Sequence, residues 1–150
     1  MMNFECVDAL DNHVGKSLGV SPWFSLSQQQ VNAFADTTLD FQGIHLNADA
    51  ARASGFDAPI AHGYLLLALL PHLAQQVYSV DGMTSKINYG LDRCRFITPV
   101  PADAEVRASF ALVEVLHKPK GIQLTVDAEL QIRDHDKPAV VARTLALLIP

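Results

Sequence analysis

No cluster of lysine and arginine occurs anywhere along the 150 residues. With a formal net charge of -5, the chain has no general attraction for nucleic acid or anionic lipid. Cysteine is scarce. Cys6 and Cys94 are far apart and follow neither a CxxC nor a zinc-ligand spacing. Two reduced thiols in an intracellular protein suit this pattern better than a structural disulfide. The opening MMNFECVDALD contains acids and no basic stretch, so it does not read as a secretory signal. No apolar run reaches the ~20 residues of a membrane span. The longest, in PIAHGYLLLALLPHL, is interrupted by His62 and ended by Pro71. Repeats, low-complexity tracts and linkers are missing too. What remains is a soluble, cytoplasmic chain forming one domain over residues 1–150.

What is present argues for a well-packed core. Hydrophobic residues make up 49% and charged residues 18%. The first half reads as helical or irregular. Ser27 is a good N-cap for SQQQVNAFADTTL, where Val31, Phe34 and Ala35 recur at helical spacing. NADAARASG reads as a short helix capped by Asn47 and stopped by Gly55. From Gly63 to about Tyr78 the leucines point all round a helix, which predicts burial on every side, with Pro71 kinking or interrupting it.

Beyond Gly82 the period becomes two. Ile87, Tyr89 and Leu91 alternate with polar residues, then the apolar phase shifts to Cys94 and Phe96, which predicts a bulge near Asp92 and Arg93. Val106 to Leu112 and Ile122 to Ile132 read as further strands, the second with one wet face. AVVARTLALLI is apolar on both faces and reads as a central or partner-covered strand. The economical packing is an α+β design, a curved antiparallel sheet wrapped around the greasy helix. Its open edges call for protection, which a second copy supplies.

Three constellations carry chemistry. The first is DFQGIH, Asp40 to His45. A carboxylate and an imidazole that converge can hold one water and exchange protons with it. Their spacing is wrong for one helix face, so the segment must curl back at Gly43. The second is IAHGY, where Gly63 opens the apolar helix and its N–H could face a developing oxyanion. The third is INYGLDRCRFITPVP, where Arg93 and Arg95 suit a phosphate. Singly, each also reads as ordinary structure: a helix-terminal Asp with an unrelated His, a helix-entry glycine, and surface arginines. Asp40, His45 and His62 follow no HExxH or Cys/His metal spacing, so no metal is expected.

Together and in this order, the three segments resemble the MaoC-like dehydratases, the hydratase-2 or (R)-specific enoyl-CoA hydratases, over nearly the whole chain. The nearest resemblance is to the single-domain mycobacterial-type subgroup. The family motif is roughly G-D-x-N-P-x-H. Asp40 and His45 fall on its acid and histidine, while Leu39, Gln42 and Gly43 replace the usual Gly, Asn and Pro. The resemblance implies a hot-dog fold, a homodimer and an acyl-CoA substrate, with no cofactor beyond the CoA of that substrate. It implies reversible syn addition of water to a trans-2-enoyl-CoA, giving an (R)-3-hydroxyacyl-CoA. Asp40 and His45 would hold the water, and the Gly63 N–H would steady the thioester oxygen. Phe41, Gln42, His62, Tyr64 and Tyr89 are the expected substrate contacts, with Phe34 beside the acyl chain and Arg93 or Arg95 at the CoA phosphates. Two rival readings share the fold: an acyl-CoA thioesterase, and a non-catalytic acyl-CoA-binding subunit of a dehydratase complex.

Overall fold

The computed structural model describes residues 1–150. The chain begins with β1 (Met2–Phe4), α1 (Asp8–Asp11), β2 (Ser17–Val20) and β3 (Phe24–Ser25). Then come α2 (Gln28–Thr38), α3 (Gly43–Leu46), α4 (Ala48–Ala53) and α5 (Gly63–Gln75). It ends with β4 (Tyr78–Val80), β5 (Ser85–Phe96), β6 (Glu105–Lys118), β7 (Gly121–Ile132) and β8 (Val140–Ile149). The main sheet runs β2-β6-β7-β8-β5, with β3 also paired to β6. Its strand pairs are antiparallel, while β1 and β4 form a separate parallel pair. This is the expected α+β hot-dog architecture. β8 is interior, as its two apolar faces require.

Local chemistry fixes the helix that leads to the site. Ser27 Oγ accepts the Gln30 N–H while the Gln30 side chain accepts the Ser27 N–H, a capping box that contributes ~1 kcal/mol. Asn47 caps α4 through the Asp49 and Ala50 N–H groups. Helix α5 inserts Leu65, Leu66, Leu70 and Leu73 into the core, against Phe110 and Val126 of the sheet. Each such leucine stabilises the fold by roughly 1.5–3 kcal/mol.

Several details differ from the reading of the sequence. Helix α5 continues through Pro71, so the proline neither ends nor interrupts it. Tyr78 belongs to β4 rather than to the helix. Within one chain α5 is not buried on all sides, because Tyr64 is 70% exposed. The first half contains three strands, too short and too broken by Gly19 and Pro22 to show a period. The outer face of β7 is not uniformly wet: Gln123 and Thr125 are buried.

Strand β5 has two register shifts, one between Leu91 and Arg93 as expected and one between Asn88 and Gly90. Lys86 pairs with Leu148 and Asn88 with Ala146, both buried positions of β8. Cross-strand partners share a face, so Lys86 and Asn88 are turned toward α5, while beyond the register shifts Cys94 and Phe96 take that face opposite buried Ala142 and Val140. Lys86 and Asn88 are solvent-exposed, as are Ile87 and Tyr89.

Candidate active site

Helix α2 ends at Thr38, and the chain turns sharply at Leu39, whose φ of 61° is left-handed. This is the position where the family motif has glycine. A leucine there costs roughly 1–2 kcal/mol of backbone strain. The turn sends Asp40 off the helix, where its Oδ1 accepts the Gln42 N–H at 3.4 Å. Gly43 then opens α3. A Cβ at Gly43 would lie 2.9 Å from the Ala50 Cβ, so close packing of α3 on α4 accounts for the glycine. The curl carries His45 back into the protein, where it is buried.

A strap of residues 59–61 completes the frame. It is tied to Ile44 by the Ile60 N–H and to Val100 by the Ala61 N–H, at 3.0 and 2.8 Å. The Ile60 carbonyl accepts a 2.7 Å hydrogen bond from His45 Nδ1. A carbonyl can only accept, so Nδ1 carries the proton and Nε2 of the neutral ring keeps its lone pair. Gln28 Nε2 donates to the His45 carbonyl at 2.8 Å and fixes the other side of the residue.

His62, next along the strap, is 2% exposed and stacks on His45 with ring centroids 3.8 Å apart. Phe34 packs against its other flank at 5.0 Å. His62 Nε2 donates to the Asp40 carbonyl at 3.0 Å, and its Nδ1 is buried without a partner. Ligand-type atoms of Asp40, His45 and His62 all lie within 4.8 Å of one another. The two rings are inclined by only 26°, so their in-plane lone pairs run side by side rather than meeting at one point. A tetrahedral metal ion needs them to converge, and the residues therefore do not fit one.

Gly63 follows at the first turn of α5, and neither its N–H nor that of Tyr64 has a backbone acceptor. These are unpaired donors at the positive end of a 13-residue helix. A Cβ at Gly63 would lie 2.9–3.1 Å from the Phe96 ring, so glycine is required here by contact with β5.

The structure thus brings Asp40, His45, His62 and Gly63 together. It places the other expected contacts less tightly. Phe41 is 55% exposed on the loop, and Gln42 is exposed beside it. Tyr64 packs edge-on to Phe96. Tyr89 lines a cavity of about 410 Å³ between α5 and the sheet. Arg93 and Arg95 pair with Arg143 and Val141, which alternate with buried Ala142 and Val140. Both arginines are therefore on the sheet face turned away from α5. Arg93 lies 3.7 Å from Asp127, which Arg143 grips with two hydrogen bonds of 2.8 Å. The cavity itself was not legible in the sequence. Leu67, Leu70, Pro71 and Ala74 of α5 line it, facing Phe110 and Val126.

Residues 10–132 match the MaoC like domain. The chain belongs to the MaoC-like dehydratase family. It is 42% identical over 146 residues to 3-hydroxyacyl-thioester dehydratase Z of Mycobacterium tuberculosis (strain ATCC 25618 / H37Rv), covering 97% of both chains. It is 39% identical to nodulation protein N of Rhizobium meliloti (strain 1021), over 89% of this chain and 85% of that one. Among solved structures, the (R)-hydratase from A. caviae involved in PHA biosynthesis superimposes with a TM-score of 0.73 and 26% identity. That match covers 91% of this MaoC-like chain and 96% of the other. No helix of the structure is long and apolar enough to cross a membrane.

Proposed function

We propose that this MaoC-like protein catalyses the reversible hydration of a trans-2-enoyl-CoA to an (R)-3-hydroxyacyl-CoA. The observation that carries the proposal is the hydrogen bond from His45 Nδ1 to the Ile60 carbonyl. It leaves His45 Nε2 as an acceptor, and a ring nitrogen of His45 lies within 4.8 Å of an Asp40 carboxylate oxygen, so that one water bridges the two groups in this reading. The names of the mycobacterial dehydratase and the A. caviae hydratase support the same substrate class and stereochemistry.

The thioester carbonyl rests on the Gly63 N–H. Asp40, assisted by His45, takes a proton from the bound water, whose oxygen forms a bond to C3. The C2–C3 π electrons move toward the thioester, and negative charge builds on its oxygen. The Gly63 N–H stabilises that charge; such a donor is worth roughly 10²–10³ in rate. The enolate then reforms the carbonyl as C2 takes the proton from the same Asp40–His45 unit. Water's hydrogen and hydroxyl arrive from one side, which is syn addition. Dehydration is the same path reversed.

The acyl chain extends from Gly63 along α5 into the cavity lined by Leu67, Leu70 and Pro71, whose 410 Å³ suits a small-molecule ligand. Of the two arginines, Arg95 forms no ion pair within the chain and is the better partner for a CoA phosphate. The protein acts as a homodimer. Strand β5 is an edge with one neighbour, and its exposed Ile87, Leu91 and Phe96 favour cover by a second copy.

The test is incubation with crotonyl-CoA while enoyl absorbance and free thiol are followed together, with chiral analysis of the product. Loss of absorbance without thiol release, giving the (R) product, is expected. Thiol release would make the protein a thioesterase instead. Inertness toward short and long enoyl chains would leave only a binding role.

A further inference from the structure

The cavity beside α5 is apolar along its length and polar at one end. Phe96 of β5 packs on Gly63 at the start of α5. Lys86, at the other end of β5, reaches Tyr78, just beyond the end of α5. The strand thus spans the helix from its N-terminus to its C-terminus, a distance of roughly 18 Å for 12 residues of rise. Lys86 Nζ donates to the Tyr78 hydroxyl at 2.7 Å and lies 4.4 Å from the centre of its ring. Both residues line the cavity, and Asn88 joins them there.

This polar end interrupts an apolar pattern. One cross-sheet row reads Ile122, Leu148, Lys86, and the next reads Leu124, Ala146, Asn88. The β7 and β8 members are buried and apolar, as a surface covering a leucine-rich helix should be. Only β5 substitutes an ammonium and an amide. The Tyr78 bond uses one of three Lys86 N–H donors, and the Asn88 side chain makes no hydrogen bond within the chain. Both residues are solvent-exposed as well as lining the cavity, and a plain alkyl chain ending against them would offer their donors no acceptor. A carboxylate would accept from them.

We propose that the far end of the cavity binds a carboxylate at the terminus of the acyl chain, so that ω-carboxyacyl thioesters are preferred ligands. This rests on the reading that the thioester carbonyl sits at Gly63 and the chain runs along α5. Lys86 is the specificity residue. Tyr78 positions its ammonium.

The test separates binding from turnover. Calorimetry with saturated chains, which cannot be hydrated, compares dodecanoyl-CoA with the mono-CoA thioester of dodecanedioic acid. The ω-carboxy ligand is expected to bind about tenfold or more tightly, the range of a charge-assisted hydrogen bond. Lys86→Met keeps the stem and removes the charge. It should abolish that preference while dodecanoyl-CoA binds at least as well. Tyr78→Phe should narrow it. Equal or weaker binding of the ω-carboxy ligand, an unchanged preference in Lys86→Met, or no binding of either ligand overturns the proposal. Failure to hydrate crotonyl-CoA, with the binding preference intact, would overturn the hydratase reading alone.

Discussion

The imidazoles of His45 and His62 stack at 3.8 Å, yet their hydrogen bonds run in opposite directions. His45 turns its N–H to the strap at Ile60 and offers a lone pair to the site. His62 turns its N–H to the Asp40 carbonyl and buries its lone pair. One ring is left free to exchange a proton, and the other pins the backbone that carries the carboxylate.

His62 therefore positions Asp40. His62→Phe keeps a ring on His45 and removes the hydrogen bond to the Asp40 carbonyl. Because small misplacements of a catalytic group are costly, kcat for crotonyl-CoA should fall by roughly ten- to a hundredfold. KM should change little, and the melting temperature should stay near that of the parent. A change confined to KM would place His62 in substrate binding alone.

Gly63→Ala puts a methyl group against the Phe96 ring. The start of α5 must shift, moving the N–H that faces the thioester oxygen. Activity should fall by about tenfold or more, within the value of such a donor. Phe96→Ala in the same chain should restore part of it, read as a positive coupling in a double-mutant cycle of kcat/KM.

Leu39→Gly should stabilise the fold. The left-handed turn strains leucine by roughly 1–2 kcal/mol, and the greater freedom of glycine in the unfolded chain offsets ~0.5–1 kcal/mol of that. A gain of about 0.5–1 kcal/mol is expected in thermal or urea unfolding. It can be followed by the fluorescence of Trp23, whose ring packs against the guanidinium groups of Arg107 and Arg133.

Asp127 supplies a pH-dependent stability. Its carboxyl is held below its ordinary value, chiefly by the Arg143 hydrogen bond, with the charges of Arg143 and Arg93 adding to it against partial burial. A lowered folded value means that the unfolded chain takes up the proton first as pH falls. The stabilisation is complete above the unfolded value of about 3.9 and is lost as pH drops through the folded one. Asp127→Asn should lower the melting temperature near neutral pH, and the difference should shrink below about pH 4.

Much of this was legible in the sequence, and the rest was hidden for physical reasons. Ser27, Asn47 and Gly63 announce their helices because capping is local. The strands at Val106 and Ile122 announce themselves by alternation, and β8 by a run that is apolar on both faces. Asp40 and His45 were legible as a pair because their close spacing and a glycine let the chain curl. His62 was not legible as the partner of Asp40, since 22 residues separate them and only the strap brings them together. Strand β5 was legible as a strand, but which of its residues share a face with the buried positions of β8 was not, because only the pairing shows Lys86 and Asn88 opposite Leu148 and Ala146.

The central claim is that the Asp40 carboxylate and His45 together activate one water. The most direct measurement is the crotonyl-CoA hydration rate of Asp40→Asn beside the parent, with both melting curves recorded. The substitution keeps the size of the side chain and removes the base. The rate should fall by roughly 10²–10⁴ with the melting temperature little changed. Hydration at the parental rate by a folded Asp40→Asn protein would contradict it.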